Sequence, residues 1–234
     1  MSKLSGIFGP SGDGKTTSTI INKDGTFDLN NYTGMDPKTH IIVNLDRKEL
    51  PFPTGMWCKE NKNYIEVEEF KEIKNIVEYI AKQPIIKSIT FDTLNCYLAY
   101  KEFNDRRKMT FDQWRDVAND ILELTMLCNQ SLRKDQIAYI FGHTELVTDV
   151  DGKEVKALSV IGKKSKRVPP EGFFPICLFT HVEDDGDGNC EFMFETRKSK
   201  SSAKTPIGMF SEFRVPNSLA LVDETIRKFY KMNG

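Results

Sequence analysis

The stretch Gly9-Pro10-Ser11-Gly12-Asp13-Gly14-Lys15-Thr16 leaves this chain few folds to choose from. It satisfies every fixed position of G-x-x-x-x-G-K-[ST], a loop that works only between a strand and a helix. By average residue frequencies the pattern arises by chance in roughly one chain of this length per hundred, before any flanking structure is required. The apolar run 3–8 supplies the strand, and residues 15–21 are expected to form the helix. Glycines let successive backbone N–H groups converge on phosphate oxygens, and a helix N-terminus would aim its positive end at the same point. The whole segment Gly9, Pro10, Ser11, Gly12, Asp13, Gly14, Lys15, Thr16 and Thr17 is therefore expected to hold the phosphates of ATP. Within it Lys15 would bridge the β- and γ-phosphates, and the Thr16 hydroxyl would ligate Mg²⁺.

The rest of the chain fits an α/β architecture. Apolar runs at 40–46, 85–92 and 136–143 read as strands. Between them, 67–82 and 114–133 carry apolar residues at helical spacing, such as Phe70, Ile73, Val77 and Ile80,. Strands alternating with helices imply crossovers and a mainly parallel sheet, with ligands at the carboxyl ends of the strands. After Asp149 the pattern changes to turns at 149–152 and 184–188, the second joining strands at 176–183 and 189–196,. These are expected to extend the sheet in antiparallel fashion. Asp187-Gly188 lacks the spacing of a calcium loop and reads as a plain turn. A surface helix over 218–232 closes the chain. One domain is expected over 1–234, made of an α/β core (1–148), a β-rich extension (149–216) and the C-terminal helix (217–234).

Three strand tips carry candidate chemistry. Asp92 ends the 85–92 run and is the expected acidic partner of Mg²⁺, through its waters. Asp46 and Glu49, after the 40–46 run, are the candidates for orienting the attacking water, since no Asp-Glu pair follows Asp92,. His143 ends the 136–143 run, where it would sense the γ-phosphate. His40 and His181 are expected to be ordinary structural residues. Two basic stretches, Lys163, Lys164, Lys166 and Arg167, then Arg197, Lys198, Lys200 and Lys204, have the composition of a groove following a nucleic-acid backbone,. Phe173, Phe174, Phe179 and Phe192 lie near them in sequence, as stacking platforms for single strands or as core,. With 33 basic and 34 acidic side chains the chain as a whole has no preference for polyanions, so any such contact must be local,. The five cysteines include no C-x-x-C pair and are expected to be buried free thiols,. No apolar run reaches 18 residues and the opening residues do not resemble a secretory signal, so no membrane contact and a cytoplasmic setting are expected,.

Four segments together resemble the compact RecA-like P-loop ATPases encoded by bacteriophages, some of them implicated in single-strand annealing and recombination. They are the glycine loop 9–16, Thr90-Phe91-Asp92-Thr93, Phe141-Gly142-His143-Thr144-Glu145, and Ser202-Ala203-Lys204-Thr205-Pro206-Ile207-Gly208-Met209-Phe210. The resemblance spans nearly the whole chain and implies a RecA-like fold. It also implies ATP hydrolysis at the interfaces of a homo-oligomeric ring or filament, with single-stranded DNA as the polymer bound. A single-strand-binding protein is left open as a further partner. In that family a Lys-x-Arg pair reaches into the neighbouring subunit's ATP, so Lys204 is implied as a finger acting in trans. Pro206 stands where the arginine would be, which lowers the expected rate. Two other readings compete: a nucleotide-gated binding or assembly module with little turnover, and a nucleotide kinase. Guanylate kinases carry a similar loop, but residues 18–39 hold no arginine for the lid such kinases need.

Overall fold

The computed structural model describes residues 3–52, 55–67, 69–96, 99, 113–149, 151–159 and 170–232. Its centre is an eight-stranded sheet. In chain order the strands are β1 (Lys3–Phe8), β2 (His40–Asn44), β3 (Tyr64–Glu66), β4 (Ser88–Asp92), β5 (Ile137–Gly142), β8 (Ile176–Asp184), β9 (Cys190–Glu195) and β10 (Arg214–Pro216). β6 (Thr144–Thr148) and β7 (Glu154–Leu158) form a separate antiparallel pair. Across the large sheet the order is β10-β9-β8-β1-β5-β4-β2-β3. The six strands from β8 to β3 are mutually parallel, while β9 and β10 join antiparallel.

Alternation within the strands divides the core into two layers. From β5, Ala138 and Ile140 face one cluster, while Ile137, Tyr139 and Phe141 face the other. The first layer is closed by α1 (Phe70–Lys82) and α2 (Gln113–Ser131), through Ile73, Val77 and Ile80 and through Ile121, Leu124 and Cys128. Steps of three and four residues put each set on one helix face. The second layer is closed by α3 (Leu219–Phe229), through Leu219, Val222 and Ile226. Each such side chain, removed from water, contributes about 1.5–3 kcal/mol. The central strands are buried on both faces, which is why they read in the sequence as unbroken apolar runs.

Connectivity creates the crevice. From β1 the chain crosses to β2 and works back through β4 to β5, beside β1; from β5 it passes to β8, on the other side of β1. The carboxyl end of β1 is thus the point where the winding reverses, the usual place for a ligand in such a sheet.

Four expectations need correction. Residues 15–21 do not form an α-helix; the helical part is a single 3₁₀ turn, Thr17–Thr19. The hydroxyls of Thr17 and Ser18 donate to Gly14 O (3.0 Å) and Lys15 O (2.5 Å), an alternative to helical propagation, and the β-branched Ile20 and Ile21 follow,. The hairpin turning at Asp149 does not extend the main sheet. It begins earlier, at Thr144, and forms part of the crossover from β5 to β8, so only β9 and β10 extend the sheet antiparallel. β3, three half-exposed residues, was not expected at all. Among the cysteines only Cys128 and Cys177 are buried, whereas Cys190 is exposed. The C-terminal helix lies on the surface but buries one face.

Candidate functional site

The glycine loop is held by its neighbours on three sides. Gly9 N–H donates to Gly142 O at the end of β5 (3.1 Å). Thr180 Oγ1, from β8, donates to Asp13 Oδ2 (3.0 Å). Asn217 Nδ2, just before α3, donates to Gly14 O (3.2 Å) and lies 3.4 Å from Asp13 O. A Cβ on Gly9 would fall 1.7 Å from Thr180 Oγ1, and one on Gly14, where φ is +81°, would fall 2.4 Å from Asn217 Nδ2. Glycine is thus required at both positions by close approach of neighbouring side chains.

Lys15 is 5 % exposed, and its ammonium is shared between Gly9 O (2.8 Å) and Pro10 O (2.6 Å), with His143 Nδ1 at 3.4 Å. Burial pushes its pKa down to about 8, against the opposing pull of the Asp92 and Asp13 carboxylates. Burial, and secondarily the Lys15 charge, also lowers the pKa of His143, so the ring beside the ammonium favours its neutral form. The His143 backbone N–H donates to Asn95 Oδ1 (2.6 Å), while Asn95 Nδ2 donates to Ser159 O (2.6 Å), fixing this strand tip to the end of the β7 hairpin.

Thr16 Oγ1 donates to Asp92 Oδ2 at 2.5 Å, and Thr93 Oγ1 donates to Asp92 Oδ1 at 2.6 Å. The peptide between Asp92 and Thr93 is cis. Burial raises the Asp92 pKa, the two hydroxyls counter it, and the Asp46 carboxylate adds to it. One strand, β5, lies between β1 and β4, so the loop and Asp92 meet across its end. A hydroxyl and a carboxylate in contact are hard oxygen donors of the kind Mg²⁺ takes, completed by phosphate oxygens and waters. Among the described residues no group of three His, Cys, Asp or Glu could hold a metal by itself.

These residues line one cavity of about 1060 Å³. It brings together Lys15, Thr16, Asp92, His143, Asp46 and Glu49. Of the two candidate water-orienting acids, Asp46 is partly buried and its charge acts on both Asp92 and His143. Glu49 is exposed at the mouth. On the opposite wall, the β8–β9 hairpin runs past the end of β1 and contributes Glu183, Asp184, Asp185 and Glu191. Glu183 is ion-paired with Arg214, which leaves Asp184, Asp185 and Glu191 on this wall against two lining lysines, Lys15 and Lys48. An anionic ligand would enter this cavity more readily with a divalent cation than alone.

Other expected residues lie elsewhere. Lys204 is exposed, and its backbone pairs with Cys177, two residues before the β8 position aligned with the end of β1; its side chain does not line the cavity. Arg197, Lys198 and Lys200 are exposed on the segment after β9, outside the cavity. Lys163, Lys164, Lys166 and Arg167 lie outside the described residues. His40 is fully buried between Ser88 Oγ (2.8 Å) and Thr90 Oγ1 (3.2 Å), its pKa pushed down to about 3 by burial. His181 faces Glu183 and Glu195. Phe174 and Phe179 are core, and Phe173 packs against it. Sequence reasoning missed Asn95, Thr180 and Asn217. Asn95 had a faint signal, a polar residue three positions beyond Asp92; the other two are brought in only by sheet register. Among the described residues no helix is long and apolar enough to cross a membrane. In comparisons with known proteins, no family model and no curated sequence matches the chain.

Proposed function

We propose that the chain is a Mg²⁺-dependent RecA-like P-loop ATPase that acts on single-stranded DNA as a homo-oligomer, in phage recombination or replication. The observation that carries the ATP half is the meeting of Lys15, Thr16, Asp92 and His143 at one strand-tip crevice. The Lys15 ammonium, satisfied by two loop carbonyls when no anion is present, exchanges them for phosphate oxygens. Thr16 and Asp92 place the metal, and Asp46 is the acid best placed to orient water. The DNA half rests on the exposed cations Arg197, Lys198 and Lys200, on the basic stretch at 163–167, and on the resemblance of the four motifs. The acidic wall supports a division of labour in which the polymer binds outside the nucleotide cavity.

One observation favours a second reading, a nucleotide-gated assembly module with slow turnover. Among the described residues no arginine lines the cavity, and Lys204 lies outside it. Among the described residues the cavity therefore offers the transferring phosphoryl group no guanidinium, and Lys48 is the one lining lysine besides Lys15,. Steady-state phosphate release, with and without single-stranded DNA at low salt, separates the two. The ATPase reading predicts turnover stimulated by DNA and abolished by Lys15→Ala. ATP-dependent assembly with no DNA stimulation favours the module. Absence of any ATP-dependent DNA binding removes the DNA role.

A further inference from the structure

Beside the phosphate-binding residues, the end of the cavity next to Gly14 has features a triphosphate does not use. Phe192, on β9, is 39 % exposed although it stands beside the loop: a Cβ on Gly14 would lie 3.1 Å from its Cδ1. Its backbone carbonyl accepts from Asn217 N–H (3.2 Å), which ties β9 to the start of α3. Phe27, 50 % exposed, and Pro216 line the same region, and Gly25 packs closely on Pro216. Aromatic rings left open to a cavity that otherwise carries charge are positioned for a flat partner.

A second, independent observation lies next to Phe192. Asn217 lines the cavity, is 2 % exposed, and its Oδ1 is buried with no hydrogen-bond partner among the described residues. Its Nδ2 faces two backbone carbonyls, Asp13 O and Gly14 O, so the amide orientation is set by chemistry,. Leaving such an acceptor unsatisfied is costly, and a small shift of the side chain toward the cavity would let a ligand N–H or O–H remove the penalty,.

We propose that this end of the cavity is a nucleoside subsite: Phe192 is the stacking platform for the base, and Asn217 Oδ1 accepts from a ribose hydroxyl or base N–H. The subsite rests on the phosphate-loop reading above and deepens it, since the base then contributes to affinity instead of trailing into solvent. It also gives the acidic hairpin a role, because carboxylates around the base favour exocyclic amino groups. The larger ring of a purine gains most from stacking.

Calorimetric titration with MgATP and with Mg²⁺-inorganic triphosphate tests this on the full chain, as wild type, Phe192→Ala and Phe192→Trp. Phe192 is exposed, so neither substitution threatens folding. The subsite predicts that wild type prefers MgATP over triphosphate by about tenfold or more, that Phe192→Ala removes most of that preference while triphosphate affinity holds, and that Phe192→Trp restores it. Cys190, exposed on the same wall, adds a readout independent of heat: MgATP should slow its alkylation more than triphosphate does. Equal affinity of wild type for the two ligands, or an unchanged preference in Phe192→Ala, overturns the subsite while leaving the phosphate loop standing. Failure of both ligands to bind overturns the phosphate-loop reading itself.

Discussion

The behaviour of the site turns on a few single residues, Lys15 first. Burial disfavours the charge and pushes the pKa of its ammonium down to about 8,. Under the phosphate-loop reading a bound triphosphate would raise that pKa again, so binding and protonation would be linked. Below pH 8 this group makes affinity flat; above it, affinity falls by up to about tenfold per pH unit until the pKa of the complex is reached. Binding at pH 8–9 should therefore take up protons, measured by calorimetry in buffers of different ionisation enthalpy. No proton uptake in that window would contradict the coupling of a lowered Lys15 pKa to phosphate binding,. The glycines give a second test. Gly9→Ala collides with Thr180 and should cost about 1–3 kcal/mol in denaturant unfolding,. Gly12→Ala, where φ is +89° and nothing lies within 4 Å, carries only the conformational penalty of about 1 kcal/mol,. Equal losses would contradict the close approach of β8 to the loop.

Secondary-structure elements reach the site through their ends. Ser218 caps α3, accepting from Leu221 N–H (3.3 Å), and its hydroxyl donates to Ile21 O (2.9 Å), so one side chain ties α3 to the segment after the loop. Ser218→Ala should lower stability by about 1 kcal/mol, read as a shift in unfolding midpoint; a neutral result would mean that the cap contributes nothing. The strands that carry Lys15, Asp92 and His143 were legible in the sequence because central parallel strands are apolar on both faces and their polar tips stand out. Their ends fall within a few residues of expectation. The turn after the loop was not legible as a turn, since apolar spacing alone does not register the hydroxyls of Thr17 and Ser18 competing for the backbone. Nor could sequence place Thr180 beside Gly9 and Asp13, or Phe192 and Asn217 beside Gly14. They lie more than 160 residues away, and only the parallel pairing of β8 with β1 brings them there. That register follows from packing of whole layers and leaves no local mark.

On the scale of the molecule, a net charge of −1 conceals a cavity whose hairpin wall is acidic and whose floor carries Lys15. Under the phosphate-loop reading that distribution would make the metal part of recognition, since a bare triphosphate would meet Asp184, Asp185 and Glu191 with little positive charge to offset them, Glu183 being paired with Arg214. The opposite end of the sheet is fastened by a buried network, Tyr139 to Asp223 (2.8 Å) and Arg227 to Asp223 (2.5 Å), far from the chemistry. Binding at the crevice should therefore stabilise the domain as one unit. At a ligand concentration about a hundred times the Kd, the gain is about 2.7 kcal/mol, which for a domain of this size raises Tm by roughly 5–10 °C. The most direct measurement is a thermal unfolding series of the wild type and Lys15→Ala, with MgATP and with ATP plus chelator. The phosphate-loop reading predicts that rise for the wild type with MgATP, a much smaller one when the metal is chelated, and none for Lys15→Ala. An unchanged Tm for folded wild-type protein, with MgATP and every other nucleoside triphosphate at millimolar concentration, would contradict it.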